Sequence, residues 1–529
     1  MNNNQGNNRR PGNPGNDDDG PNGWAVAAGV GVAAAVVGGG LWYLLGGDSK
    51  KNSESTQPAS STGPENQPLR YFAPSPSTDD TARVNNSRTD SAESFSYKDL
   101  SNVLFEMASS NSEPQGALGE KPIINNLNAL LEDCYKRYIV LNDCELRKRY
   151  SVFSTIFMKI HETMKEVDPY YNRYSSTIQH AGSHYDNLFV KKNDDFPDED
   201  VDIVIRLPVN FRQHPSNANE SDIVLEPKTP GYIQLKMGAQ FQNLLMRDVD
   251  DWQINRTAYQ WKDERNYLLR SKFSYWFKSI VNKALNKFLL DIQGRRSCYV
   301  DGAAYTIRTS ESGPAITLII ENASKGFRLD VDLVPALRFP ESRWPICTGY
   351  REIPSYCERD YWMVVPKPNK AAQNEYDTDR SWRIALHNQE RQLMHGTNHL
   401  RQAIRLIKKL RDVQEMDKIA SYYIKTLFFL EVAERGDLSF WSKNNPATLF
   451  KLMVRKLHAA IVAGYIPYFW HKKNNLIGQV DRGTLNGYAA KLDKLIKVLD
   501  SDAPGDYKLV AKFLLTPAEF AEYNKYVLN

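Results

Sequence analysis

Apolar residues recur along this chain with two distinct periods. Val152, Phe153, Ile156, Phe157, Ile160 and Met164 sit three and four apart, the spacing of one helix face. The helix they predict should run to Asp168-Pro169, because proline disfavours the helical conformation of the residue before it. A period of two appears next, in Asp198-Glu199-Asp200-Val201-Asp202-Ile203-Val204-Ile205 and again in Leu329-Asp330-Val331-Asp332-Leu333. That alternation predicts strands with aliphatic residues on one face and carboxylates on the other. Ala315-Ile316-Thr317-Leu318-Ile319-Ile320 reads as a further strand. From about residue 380 helical spacing dominates, as in Leu400, Ala403, Ile404, Ile407 and Leu410.

The first 120 residues read differently. Residues 1–22 are rich in Asn, Gly and Pro and are expected to be disordered. Residues 23–47 carry no charge and are long enough to cross a bilayer as a helix, with Trp24 and Trp42-Tyr43 as interfacial anchors. The polar residues ahead of this run argue against a cleaved signal peptide. Ala27, Gly31, Ala35 and Gly39 form a small-residue stripe suited to pairing two anchors in a homodimer, although Ala and Gly are abundant throughout the run. Residues 48–120, rich in Ser, Asn, Pro and Thr, read as a tether. The expected order is therefore an anchor, a tether, a mixed α/β lobe over 121–380 and a helical lobe over 381–529.

Composition narrows the function. Charged residues make up 25% and the net charge is +4, so any nucleic-acid site must be a local patch. Two basic stretches qualify. One holds Arg256, Lys262, Arg265, Arg270, Lys272, Lys278, Lys283 and Lys287, interleaved with Tyr259, Trp261 and Trp276; the other holds Arg401, Arg405, Lys408, Lys409 and Arg411. Both read equally as the solvated sides of amphipathic helices. The five cysteines lack CxxC spacing, which favours reduced thiols over a disulfide framework or a zinc site.

The acidic strands carry the chemistry. A row of carboxylates repels itself, and a divalent cation relieves the repulsion; Mg²⁺ favours carboxylates together with substrate phosphates. The Gly182-Ser183 turn ahead of the first strand would let backbone N–H groups approach a phosphate. These parts describe metal-dependent phosphoryl or nucleotidyl transfer. Strand periodicity alone does not choose among Asp198, Asp200 and Asp202.

Five ordered blocks then match one family: Gly182-Ser183-His184-Tyr185, the strand ending in Arg206-Leu207-Pro208, Val331-Asp332-Leu333-Val334-Pro335-Ala336-Leu337, Trp382-Arg383-Ile384 and Ser421-Tyr422-Tyr423-Ile424-Lys425-Thr426. Over roughly residues 150–529 the chain resembles the Mab-21 family, and within it the cyclic GMP-AMP synthase-like receptors. The resemblance implies an α+β nucleotidyltransferase fold, with a mixed-sheet lobe, a helical C-terminal lobe and a cleft between them. It implies an enzyme joining ATP and GTP into a cyclic dinucleotide, with Mg²⁺ or Mn²⁺, as an innate immune sensor. Counting back from Pro208, the metal ligands it implies are Asp198 and Asp200, with Asp332 as the third. Glu199 stands where relatives often carry an aromatic residue. Gly182 and Ser183 would meet a triphosphate, Arg383 and Glu390 (expected on one helical stretch) would lie around the nucleotides, Ser421 and Lys425 would contact phosphates, and Tyr422 would stack on a base.

The region after Trp382 offers His387, His395 and His399 but no cysteine, unlike the zinc-binding insertion of the vertebrate DNA sensor. That difference points to double-stranded RNA or another ligand as the trigger. A rival reading comes from layout. The mitochondrial dynamics adaptors also combine an N-terminal helix, a tether and a nucleotidyltransferase-like domain, but they lack the catalytic acids. The expected location is a single-pass protein of the mitochondrial outer membrane or another internal membrane, with its domain in the cytosol.

Overall fold

A computed structural model describes residues 123–528, apart from 142, 192–197, 212–220, 243–248, 313–314, 346–348, 370, 502 and 504. The expected disordered start, anchor and tether lie outside the described residues. Among those described, no helix is long and apolar enough to cross a membrane.

Helix α1 (Leu127–Tyr138) leads into the long helix α2 (Asp143–Val167). The six apolar positions that predicted α2 are all buried. It ends where expected: Asp168 accepts a hydrogen bond from the Tyr171 N–H, starting a new short helix with Pro169 at its first turn.

Among the described residues, eleven strands form one mixed sheet. In chain order they are β1 (Ser175–Ala181), β2 (Glu199–Ile205), β3 (Ile223–Thr229), β4 (Tyr232–Met237), β5 (Leu289–Leu290), β6 (Arg296–Val300), β7 (Ala303–Ser312), β8 (Ala315–Asn322), β9 (Phe327–Pro340), β10 (Tyr361–Val365) and β11 (Ser381–Ala385). The main path is β3-β4-β11-β10-β9-β8-β7-β6-β5, and β1 and β2 join it through a parallel pairing of β2 with β9. The other pairings are antiparallel. Every residue of β2 is buried, as expected of a strand covered on both faces. The sheet also takes in residues 381–385, so the expected boundary of the helical lobe at 381 shifts to the far side of β11.

Helix α3 (Gly182–Tyr185) is a single turn directly after β1. Helix α4 (Arg270–Leu285) packs against α2. Helix α5 (His387–Gln392) comes after β11 and opens the helical part, which includes α6 (Asn398–Val413), α7 (Ser421–Arg435), α8 (Pro446–Ala463) and α9 (Arg482–Leu499), with a small hairpin of β12 (Pro467–Tyr468) and β13 (His471–Asn475). The larger apolar core runs through the sheet and these helices, and a smaller one gathers Val204, Val334, Met363 and Val365.

Candidate active site

The strand register builds the site. Ala181 of β1 stands opposite Asp200 of β2, Asp200 stands opposite Asp332 of β9, and Asp332 stands opposite Thr317 of β8. Four neighbouring strands thus place two carboxylates, a hydroxyl and the entry to the Gly-Ser turn in one row. The Thr317 hydroxyl donates to Asp332 Oδ1 at 2.5 Å. Asp198 lies one residue ahead of β2 and is partly buried.

Gly182 is required by this geometry. Its φ is +80°, and a Cβ there would come within 1.9 Å of Asp200 Oδ2, so both backbone and space exclude a side chain. The turn is closed by its own backbone: Asp186 N–H donates to the Gly182 carbonyl at 3.2 Å and Leu188 N–H to the Ser183 carbonyl at 2.7 Å.

The acids are held in an electrostatically unfavourable state. Burial raises the pKa of Asp198, and the Asp330 and Asp332 carboxylates add to it, carrying it up to about 7. Burial raises Asp200 well above the carboxylate range, reinforced by Asp332 and Asp198. Asp332 is raised by burial, partly offset by the Thr317 hydrogen bond. An oxygen-only set of mutually repelling carboxylates fits a hard divalent cation. Among the described residues, however, no three His, Cys, Asp or Glu side chains enclose a space for an ion as they stand. Asp202, the alternative on the same strand, is paired elsewhere: its Oδ2 lies 3.1 Å from His387 Nε2 on α5. Glu199 is buried and pairs with His184 Nδ1 at 2.8 Å. It therefore ties the acidic strand to the Gly-Ser turn.

A second cluster joins the turn to the helical part. Lys425 Nζ on α7 lies 2.6 Å from Asp186 Oδ2 and 3.2 Å from Glu390 Oε2. Glu390 Oε1 also accepts from the Tyr422 hydroxyl at 2.7 Å and from Trp470 Nε1 at 3.1 Å. Burial alone would raise Asp186, but Lys425 and Arg391 hold its carboxyl below the usual range. Asp186 and Thr317 escape sequence reasoning. The signal for Asp186 is its place three residues after Ser183; for Thr317 no local signal exists, since only the register of β8 on β9 brings it to Asp332. Ser421, expected near phosphates, accepts from Arg411 Nη2 at 3.1 Å.

Arg383 and Glu390 do not share a helix. Arg383 is on β11 and Glu390 on α5. Trp382 and Ile384 are buried while Arg383 is less so, which is strand alternation over too short a run to be told from a helix turn. The Arg383 guanidinium lies 4.6 Å from the Tyr468 ring centroid and 5.4 Å from that of Tyr232. Gly231, at φ +82°, leaves room for it, since a Cβ there would meet Arg383 Nη1 at 2.4 Å. That Nη1 is buried and has no hydrogen-bond partner among the described residues. An unmatched donor in an aromatic cage can receive a base edge or a phosphate.

The structure corrects the second basic stretch and the aromatic residues of the first. In α6 the apolar stripe is buried as expected, but so are Arg405, Lys408 and Lys409. Lys408 donates to the Leu188 carbonyl at 2.5 Å, Arg405 to the Asn187 side chain and Tyr135 hydroxyl, and Lys409 to Glu519 at 2.7 Å. These cations serve internal carbonyls and carboxylates, not a solvated face. In the first stretch Trp261 is buried and Trp276 packs with it, their ring centroids 4.9 Å apart; they are core rather than a stacking platform. The three histidines do not converge either: His387 faces Asp202, and His399 Nδ1 bonds the Asn444 carbonyl at 2.9 Å.

A buried acidic row beside a Gly-Ser turn, in a mixed sheet backed by helices, defines the class: a nucleotidyltransferase domain, whose substrates are nucleoside triphosphates. Family comparison agrees. Residues 184–396 match the Mab-21 protein nucleotidyltransferase domain, and residues 399–494 match the Mab-21 protein HhH/H2TH-like domain. Among curated relatives, the cyclic GMP-AMP synthase-like receptor of Ctenocephalides felis is 30% identical over 408 residues, covering 75% of this chain and 90% of the relative. That of Tribolium castaneum is 31% identical over 403 residues, covering 74% and 93%, and that of Aethina tumida is 30% identical over 400 residues, covering 75% and 93%. The chain belongs to the Mab-21 family.

Proposed function

We propose that this protein is a metal-dependent nucleotidyltransferase that makes a cyclic dinucleotide of the cyclic GMP-AMP type from ATP and GTP, acting as a ligand-activated innate immune sensor. The observation that carries the reading is the cross-strand row of Ala181, Asp200, Asp332 and Thr317 beneath the Gly182 turn. Asp198, Asp200 and Asp332 would hold Mg²⁺ or Mn²⁺, which when bound supplies charge stabilisation at the transferring phosphoryl group. Ser183 and the turn would receive the triphosphate. Arg383, Glu390, Tyr422 and Lys425 would orient the two nucleotides, with Ser421 beside them. In the reaction a ribose hydroxyl of one nucleotide attacks the α-phosphorus of the other, a P–O bond forms, and pyrophosphate leaves. A second transfer within the linear product closes the ring and releases a second pyrophosphate.

The second reading is a membrane-anchored adaptor with little catalysis. One observation favours it: the Lys425 ammonium is already satisfied by Asp186 and Glu390. Burial works against its charge, yet those two carboxylates carry its pKa above the usual lysine value. Purified full-length protein, incubated with ATP, GTP and Mg²⁺ or Mn²⁺, with and without double-stranded RNA, separates the two readings. The enzyme reading expects pyrophosphate and a mixed cyclic dinucleotide by mass spectrometry in at least one arm. Pyrophosphate no higher than that of the Asp332→Ala protein in every arm would establish the adaptor.

A further inference from the structure

The hairpin β5–β6 is unlike the rest of the surface. Leu289 and Leu290 are 68% and 65% exposed, Ile292 is fully exposed, and Tyr299 is 65% exposed. Adjacent strand residues point to opposite faces, so exposure of both leucines means that the hairpin stands clear of the body. Its turn is nevertheless rigid. Asp291 N–H donates to the Arg295 carbonyl at 2.8 Å, Gly294 N–H to the Asp291 carbonyl at 2.9 Å, and Asp291 Oδ1 accepts from the Gln293 and Arg295 amides. Ile292 is thus presented at the tip of a pre-organised loop, which lowers the ordering cost of docking it.

Charge surrounds this apolar tip. Lys283, Lys287 and Arg295 are exposed beside it. Arg295 is matched by Asp291 and Arg308 by Glu321, but no carboxylate among the described residues pairs with Lys283, Lys287 or Arg296. A groove of about 500 Å³ adjoins the hairpin, lined by Leu285, Leu290, Ile307, Arg295, Arg296 and the Arg308–Glu321 pair.

We propose that this hairpin docks on a bilayer of anionic phospholipid, with Leu289, Leu290 and Ile292 in the acyl boundary and the basic side chains at the headgroups. Aliphatic tip and basic surround together match an interface of that kind. Three aliphatic side chains offer nothing to a nucleic-acid backbone, which is bound through cations and stacking rings. A protein strand would find only a two-residue edge to pair with. The geometry also leaves the site open, because β5 is at the far end of the sheet path from β11 and four places from the Asp332 strand. The apolar run at residues 23–47 of the sequence adds a reason: a domain held near a bilayer needs little further affinity to lay a second face on it.

The test places a photoreactive p-benzoylphenylalanine at Ile292 in the full-length chain, with Tyr376, which is 75% exposed on another part of the surface, as control position. Each protein is irradiated with vesicles of phosphatidylcholine alone or with phosphatidylserine added, and the adducts are identified by mass spectrometry. The expected result is a lipid adduct at 292 several-fold above that at 376, larger with phosphatidylserine, and lowered by the surface substitutions Lys287→Glu and Arg296→Glu at unchanged melting temperature. Equal adducts at 292 and 376 overturn the proposal. So does an adduct indifferent to phosphatidylserine, or one formed instead with added RNA or a second copy of the chain.

Discussion

Gly182 is the residue on which the site depends most sharply. A left-handed backbone without glycine costs roughly 1–3 kcal/mol, and a Cβ at this position would also displace Asp200 Oδ2. Gly182→Ala should lower stability by at least that strain and abolish nucleotidyl transfer; calorimetry and a pyrophosphate assay check it, and an active variant of native stability would refute the geometry. Lys408 makes a different kind of prediction. Burial, aided by the Arg411 cation, lowers its pKa to about 7, against about 10.4 in an unfolded chain. Between those values the unfolded state holds the extra proton, so stability contributed by this residue rises with pH. The melting temperature of the native protein should therefore climb relative to Lys408→Met between about pH 7 and 9. A difference that shrinks with rising pH would show that the lysine is charged and paired in the fold. The same side chain donates to the Leu188 carbonyl, and the Leu188 N–H donates to the Ser183 carbonyl, so the helical part reaches the Gly-Ser turn through Leu188.

At the scale of elements, periodicity was legible in the sequence and context was not. Helix α2 and strands β2, β8 and β9 were legible because their apolar positions repeat over long runs. The β11 strand was not, because five residues do not separate a period of two from one of 3.6. In α6 the apolar stripe was legible and the fate of its cations was not: whether a lysine meets water or a carboxylate from a distant helix depends on packing that no local pattern records. Lys409 illustrates this, since its partner Glu519 lies 110 positions away and 2.7 Å distant. Lys409→Glu leaves two carboxylates facing each other in a largely buried place, and should destabilise the fold by about 3–5 kcal/mol, the range for a broken buried pair. The swap Lys409→Glu with Glu519→Lys should recover a substantial part of that loss. Should Lys409→Glu instead leave the melting temperature intact while flattening the salt dependence of RNA binding, this helix would be a nucleic-acid surface after all.

For the whole molecule, the central fact is that carboxylates from β2, from β9 and from the residue ahead of β2 repel one another at one end of these strands, with Asp200 buried and Asp198 and Asp332 half-buried. Alternation marked the acidic strands, and the family resemblance, through the spacing to Pro208, singled out Asp198 and Asp200; the meeting of Asp200 with Asp332 through a parallel pairing, and the support of Thr317, come only from the fold. Such an arrangement weakens the protein unless it serves a ligand. Asp332→Ala removes one of the repelling charges, so its fold should be at least as stable as the native one in the absence of divalent ions. Added Mg²⁺ or Mn²⁺ should raise the melting temperature of the native protein and do so weakly, if at all, for the variant, because a ligand stabilises only the state that binds it. Nucleotidyl transfer should fall by several orders of magnitude. In cells the same variant separates enzyme from adaptor: a sensor loses its signal when Asp332 is replaced, even with residues 23–47 intact, whereas an adaptor keeps working and fails only when that apolar run is deleted. Equal metal-induced stabilisation of the two proteins, together with a fully functional Asp332→Ala in cells, would leave the acidic row without a catalytic role.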